Sequence, residues 1–374
     1  MNPGGIEIPG RTPTELADVQ SQVQAQLEAA GVLDLVDVTP HGTGVRFRLQ
    51  AATAASLAPG CDTTDLCRRL DLRPQDNDAD LEREILVAML LSPVTFPFPS
   101  AQELASGVRI RRNIVKAARK TTLAFDTVEA ERPQEYWTYD EASGFTILPG
   151  KSLITALQKA TQPDESGRLF SFSCYRATEY VILLGIAQEL ADCNPALLAQ
   201  LQRLSEVRAV MSGEFHEVFL REYGSMDDPL PPKFYVPGDR TWFRNPDSRS
   251  SDIKGYEGSW VFYLGGGLFT NFWKRDQAYT LTSKCLELHH WADGAVTDAS
   301  GTLWMDESEV ERLVAQTSVD PVTVEAILAR MQRYREPSGV YVDGGCIDTT
   351  RECPRWVCPG TADLVVPAAV VAAR

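Results

Sequence analysis

The chain has 374 residues, 44% hydrophobic and 23% charged, with 51 acidic side chains against 36 basic ones for a formal net charge of -15. That apolar fraction supports a sizeable core and excludes wholesale disorder, and at roughly 150 residues per domain the length predicts two or three units, or one larger domain with additions. So acidic a chain lacks the clustered Lys and Arg that displace counterions from a phosphate backbone, which argues against nucleic acid as a partner.

Met1-Asn2-Pro3-Gly4-Gly5 shows no basic region followed by an apolar stretch, so no secretory signal is expected. No apolar run approaches the roughly 20 residues of a spanning helix, and residues 364–373 are both short and broken by Pro367, so no membrane partner is expected. Eight cysteines in a chain this long are too sparse for a disulfide-stapled scaffold, and the expectation is reduced thiols inside a cell.

Thr12-Pro13-Thr14-Glu15 announces a helix with an N-cap, a proline at the first helical position and a capping-box glutamate. Leu16, Val19, Val23 and Leu27 form its apolar stripe and Gly31 its stop. Residues 32–38 read as a strand, His41-Gly42-Thr43-Gly44 as a turn, and residues 45–49 as a second strand of period two. Residues 1–67 are therefore set apart as a small α+β appendage. Cys61 and Cys67 at its end match no common zinc knuckle and read as free thiols.

Residues 68–125 read as mostly helical, interrupted by the Pro-rich stretch 92–99, with a basic helical run at 108–118. Residues 136–139 and 145–148 suggest a hairpin. Pro149-Gly150-Lys151-Ser152 imitates a phosphate loop, but Gly144 stands one residue too far from Gly150 for the required spacing, and the segment reads as a turn into a helix reaching residue 160. Residues 175–190 carry apolar positions at helical spacing, and Asn194-Pro195 opens the next helix as cap and first residue. Strands are expected at 233–236, 241–243 and 259–264, helix over 306–335, and then a tail from 336 holding Cys346, Cys353 and Cys358.

Cys174 is the thiol whose setting asks for a function. It opens an apolar helix with Ser171 or Ser173 as cap, where unsatisfied N–H groups and the positive end of the helix dipole favour a thiolate; the alternative is a small buried hydrophobe. A thiol nucleophile needs a base. Only four histidines exist, at 41, 216, 289 and 290, and none is placed beside Cys174 by the pattern. Cys285 and His289 share i, i+4 spacing but supply two metal ligands at most, so no metal site is expected. The base role falls to a carboxylate: Asp239 and Glu257 each precede an aromatic strand, where desolvation raises a carboxylate pKa, whereas an ordinary turn carboxylate stays solvated.

The segment Leu169-Phe170-Ser171-Phe172-Ser173-Cys174, with its apolar helix, resembles the nucleophile segment of the bacterial spore-coat protein-glutamine gamma-glutamyltransferases. Further landmarks agree in order: Leu72-Arg73-Pro74-Gln75-Asp76, Ser92-Pro93-Val94-Thr95-Phe96, Arg112-Asn113-Ile114-Val115, Tyr136-Trp137, Gly238-Asp239, Trp242-Phe243-Arg244-Asn245-Pro246, and Glu257 ahead of a strand ending Leu264-Gly265. The likeness covers residues 68–335, leaving the appendage and the tail 336–374 outside the compact family type. It implies an α+β, papain-like core with the nucleophile helix on an antiparallel sheet. The implied reaction is calcium-independent acyl transfer without a cofactor, from glutamine to lysine side chains of protein substrates through a thioester. Cys174 would be the nucleophile, Glu257 its base and orienter, and N–H groups near the helix start the oxyanion hole. The resemblance also implies a spore-coat location.

Two positions depart from the family pattern. Ser173 stands where the type has a glutamate, and Asn271 or Phe272 where it has a histidine. Glu257 is thereby left as the sole carboxylate of the scheme. A glutamine deamidase on the same fold and an inactive structural coat protein stand as alternatives.

Overall fold

In the computed structural model, which describes residues 4–126, 129–209, 212–274, 276–336 and 344–368, helix Pro13–Ala29 begins where the sequence places it. The Thr12 hydroxyl accepts the Glu15 N–H at 3.2 Å, while the Glu15 carboxylate reaches one residue further back than expected and takes the Arg11 N–H at 2.7 Å. The expected strand at 32–38 is instead a 3-10 turn, Leu33–Leu35, followed by strand Val36–His41. That strand pairs with Gly44–Leu49 across a two-residue turn whose Gly42 sits at φ 55°, a left-handed conformation that glycine adopts without steric cost. Gly5–Pro9 continues this sheet, and Thr95–Pro97 closes it as a parallel strand from the Pro-rich stretch. Ile6, Phe47, Ile85 and Leu104 belong to one buried cluster, so the first 67 residues share apolar packing with helices Asp78–Leu90 and Ala101–Lys120. The readings at residues 1–3 and 369–373 lie outside the described residues.

The basic run at 108–118 lies within Ala101–Lys120, and its charges are largely spent internally. Arg109 pairs with Glu189, Arg111 with Asp239, Arg112 with Glu82 and Lys116 with Asp78. This helix crosses helix Cys174–Cys193 at Gly185, where an added Cβ would lie 2.5 Å from Ile114 Cγ1. Gly185 thereby lets two backbones approach and fixes the long helix that begins at Cys174. The false phosphate loop resolves as a cap: Ser152 Oγ accepts the Thr155 N–H at the start of Leu153–Thr161. The hairpin is Trp137–Asp140 with Gly144–Ile147.

A second, antiparallel sheet has six strands among the described residues, in the order Tyr279–Thr280, Leu268–Phe269, Gly258–Gly265, Arg240–Arg244, Arg351–Pro354 and Leu220–Tyr223. Residues 233–236 are not a strand. Phe234, Tyr235 and Val236 are fully buried, and side chains replace a neighbouring strand as hydrogen-bond partners. Thr63 Oγ1 donates to the Tyr235 carbonyl at 2.7 Å and accepts the Tyr235 N–H at 2.8 Å, and Asp239 Oδ2 accepts the Val236 N–H at 2.7 Å. The tail supplies Arg351–Pro354, which lies between two earlier strands with Arg240 opposite Glu352. The fold is thus α+β, with the helix that begins at Cys174 packed by the six-stranded sheet.

Candidate active site

Two short parallel strands, Ala124–Phe125 and Ser171–Phe172, deliver the chain to the helix start. Ser173 is the cap, its hydroxyl accepting the Arg176 N–H at 3.3 Å, so Cys174 is the first helical residue. Opposite it, Gly258–Gly265 carries Ser259 and Trp260. Gly258 is required by contact: a Cβ there would sit 2.2 Å from Trp242 Nε1. The Tyr175 and Trp260 rings meet edge to face at 5.4 Å, and the buried Arg240 guanidinium lies 4.5 Å from the Trp260 ring centroid. These contacts hold the strand and the helix start against each other.

Cys174 opens onto a cleft of about 700 Å³, part of it open solvent, walled by Phe125, Tyr256, Trp273 and Trp291 and floored by Ser259 and Asn271. Burial pushes the thiol pKa up, against the expectation of an easily ionised cysteine. The backbone N–H of Trp260, the positive charge of Lys284 and the N–H of Tyr175 pull it back in part, and the charge of Glu257 raises it further. Two N–H groups, one from the strand and one from the helix, therefore act on one sulfur.

Glu257 stands at the entry to the strand that carries Trp260. It is exposed, not desolvated, and its carboxylate accepts the Gly255 N–H at 3.1 Å. No hydrogen bond joins it to Cys174 among the described residues. Asp239, the other loop carboxylate, is fully buried and structural: it accepts from Arg111 Nη1 at 2.6 Å, from Tyr223 Oη and from the Val236 N–H. Of the two residues at the histidine position of the resemblance, Asn271 lines the cleft, while Phe272 is buried in the core. Asn271 Oδ1 accepts the N–H groups of Trp273 and Lys274, each at 3.2 Å, and so shapes the cleft wall.

The histidines lie elsewhere. His290 bonds Asp293 and Thr317, and His216 bonds Glu352 at 2.7 Å. Cys285 faces not His289 but Cys346, sulfur to sulfur at 3.7 Å, and all eight cysteines are free.

The residue that sequence reasoning missed is Lys284, on helix Leu281–Gly294. Its side chain is nearly buried, donates to Glu287 Oε2 at 2.5 Å and lies 4.3 Å from the Tyr279 ring centroid and 5.7 Å from that of Trp291, in the same cleft as Cys174. The available signal was a lysine set among Leu281, Cys285, Leu286 and Leu288 with Glu287 three residues on and Trp291 seven, an i, i+3, i+7 polar-aromatic face on an apolar helix.

Among known proteins, a family model described as protein-glutamine gamma-glutamyltransferase matches residues 64–365. The protein-glutamine gamma-glutamyltransferase of Halalkalibacterium halodurans is 24% identical over 193 residues, which cover 50% of this chain and 62% of that protein. The match thus spans under two thirds of the length of this curated relative. Among solved structures, a transglutaminase from Geobacillus stearothermophilus, without its C-terminal extension, aligns with TM-score 0.38 and 17% identity over 57% of this chain and 98% of its own.

Proposed function

Because the chain belongs to the protein-glutamine gamma-glutamyltransferase family, we propose that it is a calcium-independent acyltransferase on a papain-like core, crosslinking proteins through a thioester on Cys174. The observation that supports this reading is a cysteine at a capped helix start that opens onto an aromatic cleft and faces the strand carrying Ser259 and Trp260. A glutamine side chain enters the cleft with its carbonyl oxygen toward the backbone N–H groups at the helix start. The Cys174 sulfur attacks the carboxamide carbon, and the N–H groups stabilise the oxyanion of the tetrahedral intermediate. The thiol proton passes to Glu257, whose charge is near enough to act on the sulfur. Glu257 returns that proton to the departing amide nitrogen, which leaves as ammonia. A lysine amine then attacks the thioester carbon, loses a proton and releases the thiol, giving an isopeptide bond. Glu257 is the one carboxylate of this scheme, since Ser173 is engaged as the helix cap. No cofactor or metal enters these steps.

The substrates are proteins bearing accessible glutamine and lysine side chains, and by resemblance the place of action is a spore coat. The test is incorporation of a fluorescent primary amine into a glutamine-rich protein in the presence of a calcium chelator, for the wild type and for Cys174→Ala. Label transferred by the wild type alone supports the reading. Ammonia released without label transfer points to a deamidase, and neither product, from folded protein, points to a structural coat component.

A further inference from the structure

We propose that Lys284 is the fixed counter-ion of the Cys174 thiolate, a positioning residue that lets a half-buried sulfur carry negative charge. The inference rests on the Cys174 reading above and deepens it. Its ground is the distribution of charge around one cleft. Among the described residues, two ammonium groups line it, from Lys274 and Lys284. Lys274 is well exposed and engaged by Glu311, so solvent screens its effect on the sulfur. Lys284 is 3% exposed, and a charge removed from water acts through a lower effective dielectric.

The surroundings of Lys284 hold the ammonium in place. Glu287, one turn along the same helix, accepts one of its hydrogen bonds, and the faces of Tyr279 and Trp291 flank it as cation–π partners. Glu287 is itself fixed from the other side by the Tyr279 hydroxyl, which donates to Oε1 at 2.7 Å. The remaining carboxylates of the cleft are likewise engaged: Glu307 by the Tyr256 hydroxyl at 2.5 Å and Glu311 by Lys274. Each carboxylate in or beside the cleft, Glu257 included, opposes negative charge on Cys174. Lys284 is the buried cation that offsets them. Burial raises the thiol pKa, and after the Trp260 N–H the Lys284 charge is the next influence that lowers it.

The role also accounts for a lysine on an otherwise apolar stretch. Burying an ammonium is costly unless it is paired, and a structural pair with Glu287 alone is commonly replaceable by apolar residues at no loss of stability. A cation required by the thiolate is not replaceable in that way.

The test is the rate of Cys174 alkylation by iodoacetamide from pH 6 to 10, read by mass spectrometry on the Cys174 peptide of the full chain, so that the other seven thiols do not interfere. Lys284→Met should move the midpoint to higher pH and slow alkylation at pH 7 by about threefold or more, each unit of midpoint shift being worth about tenfold. Lys284→Arg should restore most of the rate. Glu287→Gln, which removes a negative charge from the same cleft, should move the midpoint the opposite way, and this second variant keeps the test open if Lys284→Met does not fold. A midpoint unmoved in folded Lys284→Met, or moved the same way by Glu287→Gln, would overturn the proposal. Because alkylation needs no glutamine or amine substrate, the counter-ion can hold while amine incorporation fails, and the two readings fall separately.

Discussion

Asp239 is the sharpest point at which to break the scaffold behind the cleft. Its carboxylate is fully buried and accepts from Arg111, Tyr223 and the Val236 backbone, and the Arg111 guanidinium is itself buried. Asp239→Asn keeps the shape and removes the charge, leaving the Arg111 cation uncompensated in the interior. Breaking a buried pair from one side costs about 3–5 kcal/mol. At about 2 °C per kcal/mol, the low end for chains longer than small domains, the melting temperature should fall by about 6–10 °C. The loop 233–239 feeds directly into Arg240–Arg244, which aligns Trp260 through the Trp242 pairing, so amine incorporation should fall more steeply than stability at a temperature where the variant is still folded. The double variant Arg111→Met, Asp239→Leu removes both charges and should recover most of the lost stability, as replacing a buried pair by apolar residues generally does. Thermal melts of the wild type, Asp239→Asn and the double variant make the comparison. If Asp239→Asn melts within about 1 °C of the wild type, or the double variant is worse than the single, the carboxylate is not holding Arg111 in the way described.

Two further outcomes follow from other contacts. The His216–Glu352 pair ties Ser212–Phe219 to the tail strand, and its hydrogen bond to Glu352 raises the His216 pKa. A raised histidine contributes stability that is fully present below its unfolded value of about 6.5 and lost as pH rises through the folded value. Glu352 behaves oppositely: burial would raise it, but the His216 hydrogen bond and the Arg240 charge outweigh burial and hold it low, so its share is present above the ordinary glutamate range and lost in acid. The melting difference between wild type and His216→Phe should therefore be largest in mild acid, below about pH 6.5, and shrink as the pH rises; a difference that grows with pH would refute the pairing. Gly185→Ala places a Cβ 2.5 Å from Ile114 Cγ1 and 3.0 Å from its backbone nitrogen, so the two long helices must separate at a cost of about 1–3 kcal/mol, measurable by denaturant titration, whereas Gly60→Ala, with open space around it, should avoid that overlap and show only the strain of its left-handed backbone.

What the sequence disclosed is what local chemistry decides. Thr12 and Asn194 cap the helices assigned to them, and of the two candidates Ser171 and Ser173 it is Ser173 that caps, because a cap is a contact between residues three apart. Residues 233–236 misled because a short apolar, aromatic run looks alike whether its backbone bonds go to a strand or to a threonine 172 positions away. Arg351–Pro354 has too few apolar positions to announce a strand, and its place in the sheet rests on Arg240 finding Glu352 across 112 residues. The same distinction divides the site. Cys174 was legible from its cap, but its ionisation was not, since the burial that raises it comes from walls 50 to more than 100 residues away. Lys284 was legible only as one member of a polar-aromatic face on its helix; that this face lines the cleft of Cys174, on another helix, comes from packing.

The position of the tail strand also sets the order in which the molecule can be finished. Arg351–Pro354 is central, not peripheral, so the strand Arg240–Arg244 leaves the ribosome with one edge bare and its arginine without a counter-charge. At translation rates of about 5–20 residues per second, Glu352 emerges on the order of ten seconds after Arg240. Until then the strand that carries Trp260 and faces Cys174 rests on a partner strand that lacks its own neighbour, so the cleft wall is completed only after residue 352 has been made.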